Sequence, residues 1–389
     1  MYVQILKDFM DSLTEWKIPG NTLIVNYKGK EVFRYSSGFS DVKIGKKMQG
    51  NEWFNVYSCS KPVTCVAALQ LFEKGFFRLD DPIYSFLPEF KEVCVECEDH
   101  SVRKAEKAIT FRHLFTMSAG LTYNVDQGSM KRLQEECPDA DTRTVAKYIA
   151  GDLLRFDPGT KYRYSVCHDV LAAIVEVISG MSFGDYVKKN IFAPLGFENQ
   201  VTFKRTAEIY KKMATHYAFA TSDEKGVISS PDGQAFWKEI EKTPWLVLTK
   251  NHESGGAGMV STADAYAAFA KAMANWGKCP NGESLLSPDT INLMRTPHGI
   301  PGARKEFDST PRQRGYDYGL GVRTLVDIES SGGYGCPLEF GWAGADGCYT
   351  LFDPDNELSL FYAQHILYGD VSDYIEPEMR KIIYKYIVK

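Results

Sequence analysis

Strand-forming segments occupy both ends of this chain, and mostly helical segments lie between them. Residues 23–27 and 31–35 are two β-rich runs joined by a turn that contains Gly29, a pattern typical of a hairpin. Residues 348–364 repeat this pattern around the turn sequence Asp-Pro-Asp-Asn. We therefore predict an α/β (α+β) fold in which an antiparallel sheet, built from both termini, is flanked by helices.

The predicted fold divides the chain into two subdomains. Residues 1–85 and 251–389 are expected to form the sheet and its packing helices, and residues 86–250 an inserted, mostly helical subdomain. Apolar residues at helical spacing are clearest in residues 168–179 and 183–192. We expect an active site at the interface between the two subdomains.

Composition argues against two classes of partner. The net charge is −5 and the chain has no basic block of the kind that binds a phosphate backbone, so we expect no nucleic-acid partner. The longest apolar runs, such as residues 170–178, are shorter than the roughly 20 residues that a membrane-spanning helix needs, so we expect no membrane partner. The N-terminal residues also lack the pattern of a signal peptide.

The nine cysteines are odd in number and scattered, which indicates free thiols in a reducing compartment. We therefore expect a cytoplasmic protein. Cys94 and Cys97, with His100 nearby, suggest zinc, but a second ligand pair at suitable spacing is missing. A charged surface segment is the favoured interpretation, and we predict neither a metal nor an organic cofactor.

Ser58 is the strongest candidate nucleophile among the serines that stand three residues before a lysine. It precedes a long apolar helix, where the positive end of the helix dipole would stabilise an alkoxide. Lys61 would lie one turn later on the same face, and burial would make it a better base than a solvated ammonium. The other three pairs lie in charged or turn-like stretches, where an ordinary surface serine is favoured: Ser40/Lys43, Ser101/Lys104 and Ser222/Lys225.

A second serine motif competes with Ser58. Residues 180–184 fit the G-x-S-x-G pattern of α/β-hydrolases, with Ser182 at its centre. That motif requires a preceding strand, whereas residues 170–179 have a helical pattern. We interpret Ser182 as a capping serine between two helices.

Several blocks of the sequence, in a fixed order, resemble one protein family. Residues 55–90, which contain Ser58, resemble the nucleophile region of class C β-lactamases, their D,D-peptidase relatives and family VIII carboxylesterases. The resemblance implies a β-lactamase/transpeptidase-like fold and a serine hydrolase. Further blocks that resemble the same family cover most of the chain: residues 108–121, 156–180, 191–197, 253–269 and 340–362.

The resemblance implies catalytic roles for three residues. Ser58 would attack a carbonyl carbon and form an acyl-enzyme, and Lys61 would accept or relay the serine proton. Tyr164 matches the tyrosine that pairs with this lysine as a general base and later activates water. A phenol beside an ammonium has a physical reason for a lowered pKa, so it can carry protons.

The resemblance also implies substrate-binding groups. Trp342, Ala343 and Gly344 match the family's third motif, on a strand that lines the site, and Gly344 would let the substrate backbone approach closely. The backbone N–H groups of Ala345 and Ser58 would form the oxyanion hole.

Two departures from the family pattern shift the expected substrate. Val166 stands where β-lactamases usually carry an asparagine that binds the substrate's amide side chain. Trp342 stands where they carry lysine, and many D,D-peptidases histidine, and it offers an apolar wall and one N–H instead of a cation. An anionic β-lactam would thereby lose charge-assisted binding of about 1.5–3 kcal/mol. Family VIII esterases often have tryptophan here, so we predict a carboxylesterase that acts on small neutral esters.

Two alternatives remain open. One is an amidase or D-amino-acid peptidase, or a weak β-lactamase or penicillin-binding activity. Its partner would be a small-molecule amide. The other is a catalytically silent homologue kept for binding. The joint presence of Ser58, Lys61 and Tyr164 counts against the second alternative, because binding alone needs none of them.

Other polar or reactive residues near these motifs are interpreted as structural. Adjacent residues of a helix point in different directions, so His168 and Asp169 are not expected to form a relay. We interpret Asp169 as a cap at the helix start and His168 as a packing residue. Met117, Cys59 and Cys167 are likewise interpreted as packing residues.

Overall fold

The computed structural model describes residues 2–230, 233, 235–367 and 371–388. Its helices are α1 (Tyr2–Trp16), α2 (Ser60–Glu73), α3 (Phe111–Phe115), α4 (Gly128–Glu136), α5 (Thr142–Ile149), α6 (Cys167–Ser179), α7 (Phe183–Val187), α8 (Ala207–Lys212), α9 (Ala263–Ala274), α10 (Pro288–Arg295), α11 (Ala303–Phe307) and α12 (Ser372–Ile383). Its strands are β1 (Gly20–Tyr27), β2 (Lys30–Asp41), β3 (Lys46–Lys47), β4 (Trp53–Asn55), β5 (Cys94–Glu96), β6 (Val102–Lys104), β7 (Val201–Thr202), β8 (Tyr217–Phe219), β9 (Val227–Ser229), β10 (Phe236–Glu239), β11 (Val260–Thr262), β12 (Tyr316–Tyr318), β13 (Arg323–Leu325), β14 (Phe340–Ala343), β15 (Tyr349–Asp353), β16 (Leu358–Gln364) and β17 (Ile366–Leu367).

The main sheet contains strands from both ends of the chain. Its eight strands are antiparallel, in the order β12-β13-β14-β15-β16-β1-β2-β3. The two predicted hairpins, β1–β2 and β15–β16, meet at its centre, where Thr22 of β1 lies opposite Ala363 of β16. The predicted fold, with an antiparallel sheet from both termini and flanking helices, is confirmed.

Helices pack on both faces of this sheet because side chains of its central strands alternate between two apolar clusters. Ile24 belongs to the cluster that contains the buried residues of α2 and α9. Its neighbours Leu23 and Val25 belong to the cluster that contains those of α1 and α12. Strand β1 is buried from residue 20 to residue 26, as expected for a strand covered on both faces.

Helix α2 is buried along most of its length and supports the candidate nucleophile. Pro62 lies in its first turn, where a missing N–H costs no hydrogen bond. Gly75, just beyond its end, has φ of +77°, a conformation that commonly terminates helices. The helix packs against α6 and contacts β14, so its N-terminal end is held firmly between the helical segments and the sheet.

Strands β8, β9 and β10 depart from the expectation for residues 86–250. They lie in a segment expected to be mostly helical, but they join β17 in a four-stranded sheet. Tyr217 of β8 is fully buried and pairs with Ile366 of β17, so tertiary pairing favours an extended chain here. The boundaries at residues 86 and 250 stay a proposal.

Within the ranges given above, no single helix is long and apolar enough to cross a membrane. Among the described residues, one pair of helical segments, residues 167–179 and 183–192, is long and apolar enough when the two are taken together, but the pair is bent by 78°.

Candidate active site

Ser58 and Lys61 lie side by side at the buried N-terminal end of α2. Residues 57–59 form a 3₁₀ turn that continues into the helix. The Lys61 ammonium, fully buried, donates to Ser58 Oγ at 3.1 Å and to the carbonyl oxygen of Gly256 at 2.7 Å. The spacing of one helical turn thus brings the two side chains together as the sequence suggests.

Tyr164 completes a cluster of polar groups around Ser58. Its hydroxyl donates to Ser58 Oγ at 2.7 Å, from the segment that precedes α6. Lys61 Nζ lies 4.6 Å from the centroid of the Tyr164 ring. The serine oxygen therefore has two potential proton acceptors within hydrogen-bonding distance, which a nucleophilic mechanism requires.

Trp342, on β14, contacts Tyr164 in two ways. Its indole Nε1 donates to the Tyr164 hydroxyl at 3.2 Å. The two rings are stacked, with centroids 5.6 Å apart and planes inclined by 18°. Trp342 therefore orients Tyr164 as well as lining the site.

A cavity of about 480 Å³ opens over Ser58. The expected site residues Tyr164, Trp342, Ala343, Gly344 and Ala345 all line it. The rest of the lining includes aromatic side chains and a few charged ones that no motif indicated: Tyr57, Tyr123, Tyr162, Trp245, Phe307, Glu306, Arg312, Arg323 and Asp373. These residues come from separate loops, from helices α11 and α12 and from strand β13, so only the folded chain brings them together.

Val166 does not line this cavity. It is buried at the start of α6 and contributes to a separate small crevice with Leu121 and Met130. Its role in substrate binding stays a prediction, and the structure places its side chain outside the cavity over Ser58. The valine side chain packs inward, because position 166 is the cap of a buried helix.

The turn after β14 brings Ala345 to the nucleophile side of the cavity. A Cβ atom on Gly344 would lie 2.5 Å from the carbonyl oxygen of Val56, two residues before Ser58. Because Gly344 has no side chain, the turn after β14 can approach the backbone of Val56. The family resemblance implied instead that this space admits the substrate backbone. Ser58 and Ala345 both line the cavity, and their N–H groups stay the proposed oxyanion hole.

Tyr57, directly before Ser58, has a strained backbone that no sequence pattern indicated. Its φ is +43°, in the left-handed region that bulky residues rarely adopt. The side chain is 2% exposed, and its ring centroid lies 5.7 Å from that of His216. Packing therefore holds the peptide before the nucleophile in an unusual orientation.

Two buried cysteines that flank site residues, and the buried acid Asp346, are neutral. Burial raises the pKa of Cys59 and of Cys167, which is about 12, so both are thiols that pack, as predicted. Burial also raises the pKa of Asp346 well above its usual range. None of these three groups can serve as a charged partner for Lys61 near neutral pH.

Asp169 is not the predicted helix cap. The cap position of α6 is Val166, and Asp169 lies inside the first turn, where its Oδ1 accepts from Ser254 Oγ at 2.6 Å and from Gly256 N at 3.3 Å. The predicted capping role is wrong, because the Asp169 carboxylate binds the loop that contains Ser254 and Gly256 and not the backbone of its own helix. His168 is fully buried, as a packing residue should be, and burial lowers its pKa well below the usual range.

Two other interpretations from the sequence are confirmed. Ser182 Oγ accepts from the backbone N–H of Asp185 at 3.2 Å, so Ser182 caps α7. Met117 is fully buried, and its sulfur accepts from Ser165 Oγ at 3.7 Å.

Three side chains that could bind a metal ion lie close together. Within the described part of the chain, Cys336, Asp353 and Asp355 are the one trio whose ligand atoms lie within 4.8 Å of one another. Their carboxylates already have protein partners, since Arg295 pairs with Asp355 and Tyr384 donates to Asp353. This trio does not line the cavity over Ser58.

Comparison with known proteins places these observations in a family. Residues 4–381 match the family model described as Beta-lactamase. Protein Rv1367c of Mycobacterium tuberculosis is 28% identical over 339 residues, which cover 84% of this chain and 80% of that protein. The esterase EstB of Burkholderia gladioli is 25% identical over 392 residues, which cover 97% of this chain and 93% of EstB. The solved structure of EstCE1 shares the fold, with a TM-score of 0.78, 24% identity and coverage of 98% of this chain and 97% of EstCE1.

Proposed function

This chain belongs to the β-lactamase family of serine hydrolases, and on that premise we propose that it is a carboxylesterase that acts on small neutral esters through an acyl-enzyme at Ser58. Support for the nucleophile comes from the two hydrogen bonds that Lys61 and Tyr164 donate to Ser58 Oγ, at 3.1 and 2.7 Å. Both distances suit direct proton transfer.

In the proposed reaction, one member of the pair formed by Lys61 and Tyr164 has first released its own proton to solvent, and it accepts the proton of Ser58 while Ser58 Oγ attacks the ester carbonyl carbon. The N–H groups of Ser58 and Ala345 would stabilise the negative charge on the carbonyl oxygen. The tetrahedral intermediate collapses, the ester C–O bond breaks, and the alcohol leaves with the proton. The same pair then deprotonates a water molecule that attacks the acyl carbon, which releases the acid and restores Ser58.

The observation that carries the ester preference is the position of Trp342. Its side chain is 4% exposed, lines the cavity, and its single N–H is used by Tyr164. Arg312 and Arg323 also line the cavity, but each forms an ion pair with Glu376. An anionic β-lactam would therefore find no unpaired cation among these groups, whereas a neutral ester needs none.

Acyl transfer to an alcohol is a second candidate activity. EstCE1 is described as a hydrolase with promiscuous acyltransferase activity. In this chain the cavity is lined by aromatic rings, including Tyr123 and Trp245, which can hold an organic acceptor beside an acylated Ser58. Amide or β-lactam hydrolysis is less well supported, because Trp342 stands in the cavity where the resemblance implies a cation that binds such substrates.

The test is hydrolysis of short-chain p-nitrophenyl esters and, in parallel, of a chromogenic cephalosporin, by wild type and Ser58→Ala. We expect fast ester turnover, slow or absent β-lactam opening, and loss of both in the variant. Ester turnover that survives in Ser58→Ala would contradict the proposed nucleophile. Addition of a small alcohol, with detection of the new ester, separates acyl transfer from hydrolysis, and a silent homologue would show neither reaction.

We also propose a cytoplasmic location and a small-molecule ester as the partner. All nine cysteines are free thiols, which fits a reducing compartment. Cell fractionation followed by immunodetection tests the location.

A further inference from the structure

The segment from Ser254 to Ala257 lies tightly between α2 and α6. A Cβ atom on Gly255 would be 2.4 Å from the carbonyl oxygen of His168, and one on Gly256 would be 2.7 Å from Asp169 Oδ2. Only glycine allows this approach. The backbone of the segment can therefore reach Lys61 on one side and Asp169 on the other.

A continuous chain of hydrogen bonds joins Lys61 to Asp169 through this segment. Lys61 Nζ donates to Gly256 O at 2.7 Å, and the N–H of the same peptide unit, on Ala257, donates to Ser254 Oγ at 3.1 Å. The Ser254 hydroxyl then donates to Asp169 Oδ1 at 2.6 Å. Every donor in this chain points from the ammonium towards the carboxylate, so the bonds polarise one another in the same sense.

The far end of the chain is negatively charged. Burial alone favours the neutral form of Asp169, but contacts with His252 and Ser254 and the charge of Lys61 outweigh it and lower the pKa of the carboxyl. His252 Nε2 lies 3.4 Å from Asp169 Oδ1. Its Nδ1 accepts from the backbone N–H of Leu248 at 3.2 Å, which leaves Nε2 to carry the proton that faces Asp169.

The other titratable groups that interact with Lys61 do not carry a negative charge. Burial raises the pKa values of Tyr123 and of the thiols nearby, and it lowers that of His168, so these groups are neutral near pH 7. The thiols are Cys59, Cys65 and Cys167. Tyr164, in the segment before α6, faces Lys61 with its ring and donates its hydroxyl proton to Ser58 Oγ.

We propose that Asp169 is a positioning residue and the counter-ion of Lys61, acting through Ser254 and the peptide bond between Gly256 and Ala257. This inference rests on the proposed role of Lys61 and Tyr164 in activating Ser58. The carboxylate stabilises the ammonium at a distance and holds the Gly256 carbonyl towards it. Lys61 is thereby held as a fixed cation beside Ser58, and Tyr164, once its own proton has gone to solvent, is the group that takes the serine proton.

The test is the pH dependence of Ser58 modification by a neutral sulfonyl fluoride, together with kcat/KM for p-nitrophenyl acetate. The variants are Asp169→Asn, Ser254→Ala and the double variant. Loss of a nearby negative charge makes protons in a site easier to remove. We therefore expect both the acidic and the alkaline limb of the pH profile to move to lower pH, by about one pH unit in Asp169→Asn.

Ser254→Ala should move the limbs in the same direction by less, and the double variant should move them no further than Asp169→Asn. Thr64→Val is the matched control, because Thr64 Oγ1 donates to Gly255 O at 2.7 Å in the same segment but lies outside the chain of bonds. It should lower the melting temperature without moving either limb.

A folded Asp169→Asn protein with a lower rate and an unmoved pH profile would overturn the inference, since a purely structural role predicts that result. If Asp169→Asn does not fold, Ser254→Ala carries the test, and an unmoved profile in that variant overturns the inference equally. Absence of Ser58 modification in wild type would instead contradict the proposed nucleophile, and the inference would fall with it.

Discussion

The indole N–H of Trp342 donates to the hydroxyl of Tyr164 at 3.2 Å while the two rings stack at 5.6 Å. The tryptophan thus fixes both the plane and the oxygen of the residue that contacts Ser58. A lysine at position 342 would place a cation near substrate, whereas tryptophan acts on the catalytic tyrosine itself. Tryptophan at this position therefore bears both on the proposed ester preference and on the orientation of the proposed base.

Trp342→Phe should separate these two effects. It keeps an aromatic ring against Tyr164 and removes the donor, so we expect kcat for a neutral ester to fall roughly fivefold, for a hydrogen bond of about 1 kcal/mol. Trp342→Leu removes the stacking as well and should lower kcat further. Steady-state kinetics measure both, and an unchanged kcat in Trp342→Phe would show that the indole N–H plays no part in orientation.

Tyr164→Phe should lower kcat/KM for esters by at least about a hundredfold, because general-base catalysis contributes that much or more. Tyr123→Phe is the matched control. Its ring lies 5.4 Å from that of Tyr164, and its buried hydroxyl has no hydrogen-bond partner within the described residues. We expect less than about a threefold change in that variant. Equal losses in the two variants would contradict the role given to Tyr164.

The elements that local sequence patterns could predict are those whose partners are near in sequence. The two hairpins and α2 follow from alternation, turn residues and helical spacing. Lys61 follows Ser58 by one turn at the N-terminal end of α2. The placing of Tyr164 depended on the family resemblance, because its distance to Ser58 is set by the packing of α6 against α2.

Other features had no local signal. The role of Asp169 depends on a loop about Ser254, far along the chain, so a capping interpretation was the natural one from neighbouring residues alone. The acceptor for Lys61 is the backbone carbonyl of Gly256, and a carbonyl is present at every position. Strands β8 to β10 are extended because they pair with one another and with β17, which no short window of sequence can show.

Glu376→Gln should destabilise the fold strongly. Arg323 Nη2 lies 2.6 Å from Glu376 Oε2, and both side chains are buried. Removing one charge of a buried pair leaves the other uncompensated, so we expect the free energy of unfolding to fall by about 3–5 kcal/mol. The control is Glu208→Gln, which removes an exposed pair with Lys212 and should leave the free energy of unfolding almost unchanged. Urea unfolding measures both, and similar losses would contradict the argument from burial.

Glu176→Gln should make the protein more stable at alkaline pH. Burial raises the pKa of Glu176 to about 7, with smaller contributions that include the nearby Glu253. The unfolded chain releases this proton near its ordinary pKa of 4.5, so the folded state binds more protons between pH 4.5 and about 7, and stability falls as pH rises through that window.

The glutamine cannot ionise and can still accept from the backbone N–H of Phe183, which lies 2.9 Å from Glu176 Oε1. Relative to wild type, we expect no gain at pH 4 and a gain of about 1–2 kcal/mol at pH 8, after allowance for partial exposure. Unfolding measured at both pH values checks this. A difference that does not depend on pH would mean that Glu176 does not titrate in the window.

The pairing of β1 with β16 has a consequence for synthesis on the ribosome. The partner for one edge of β1, residues 358–364, is synthesised only after more than about 300 further residues have been added to the chain. Until then the first hairpin has an apolar, unpaired edge, and closing so long a loop is slow. Such an edge is a template for pairing with other chains, so the first hairpin is exposed to aggregation until β16 covers it.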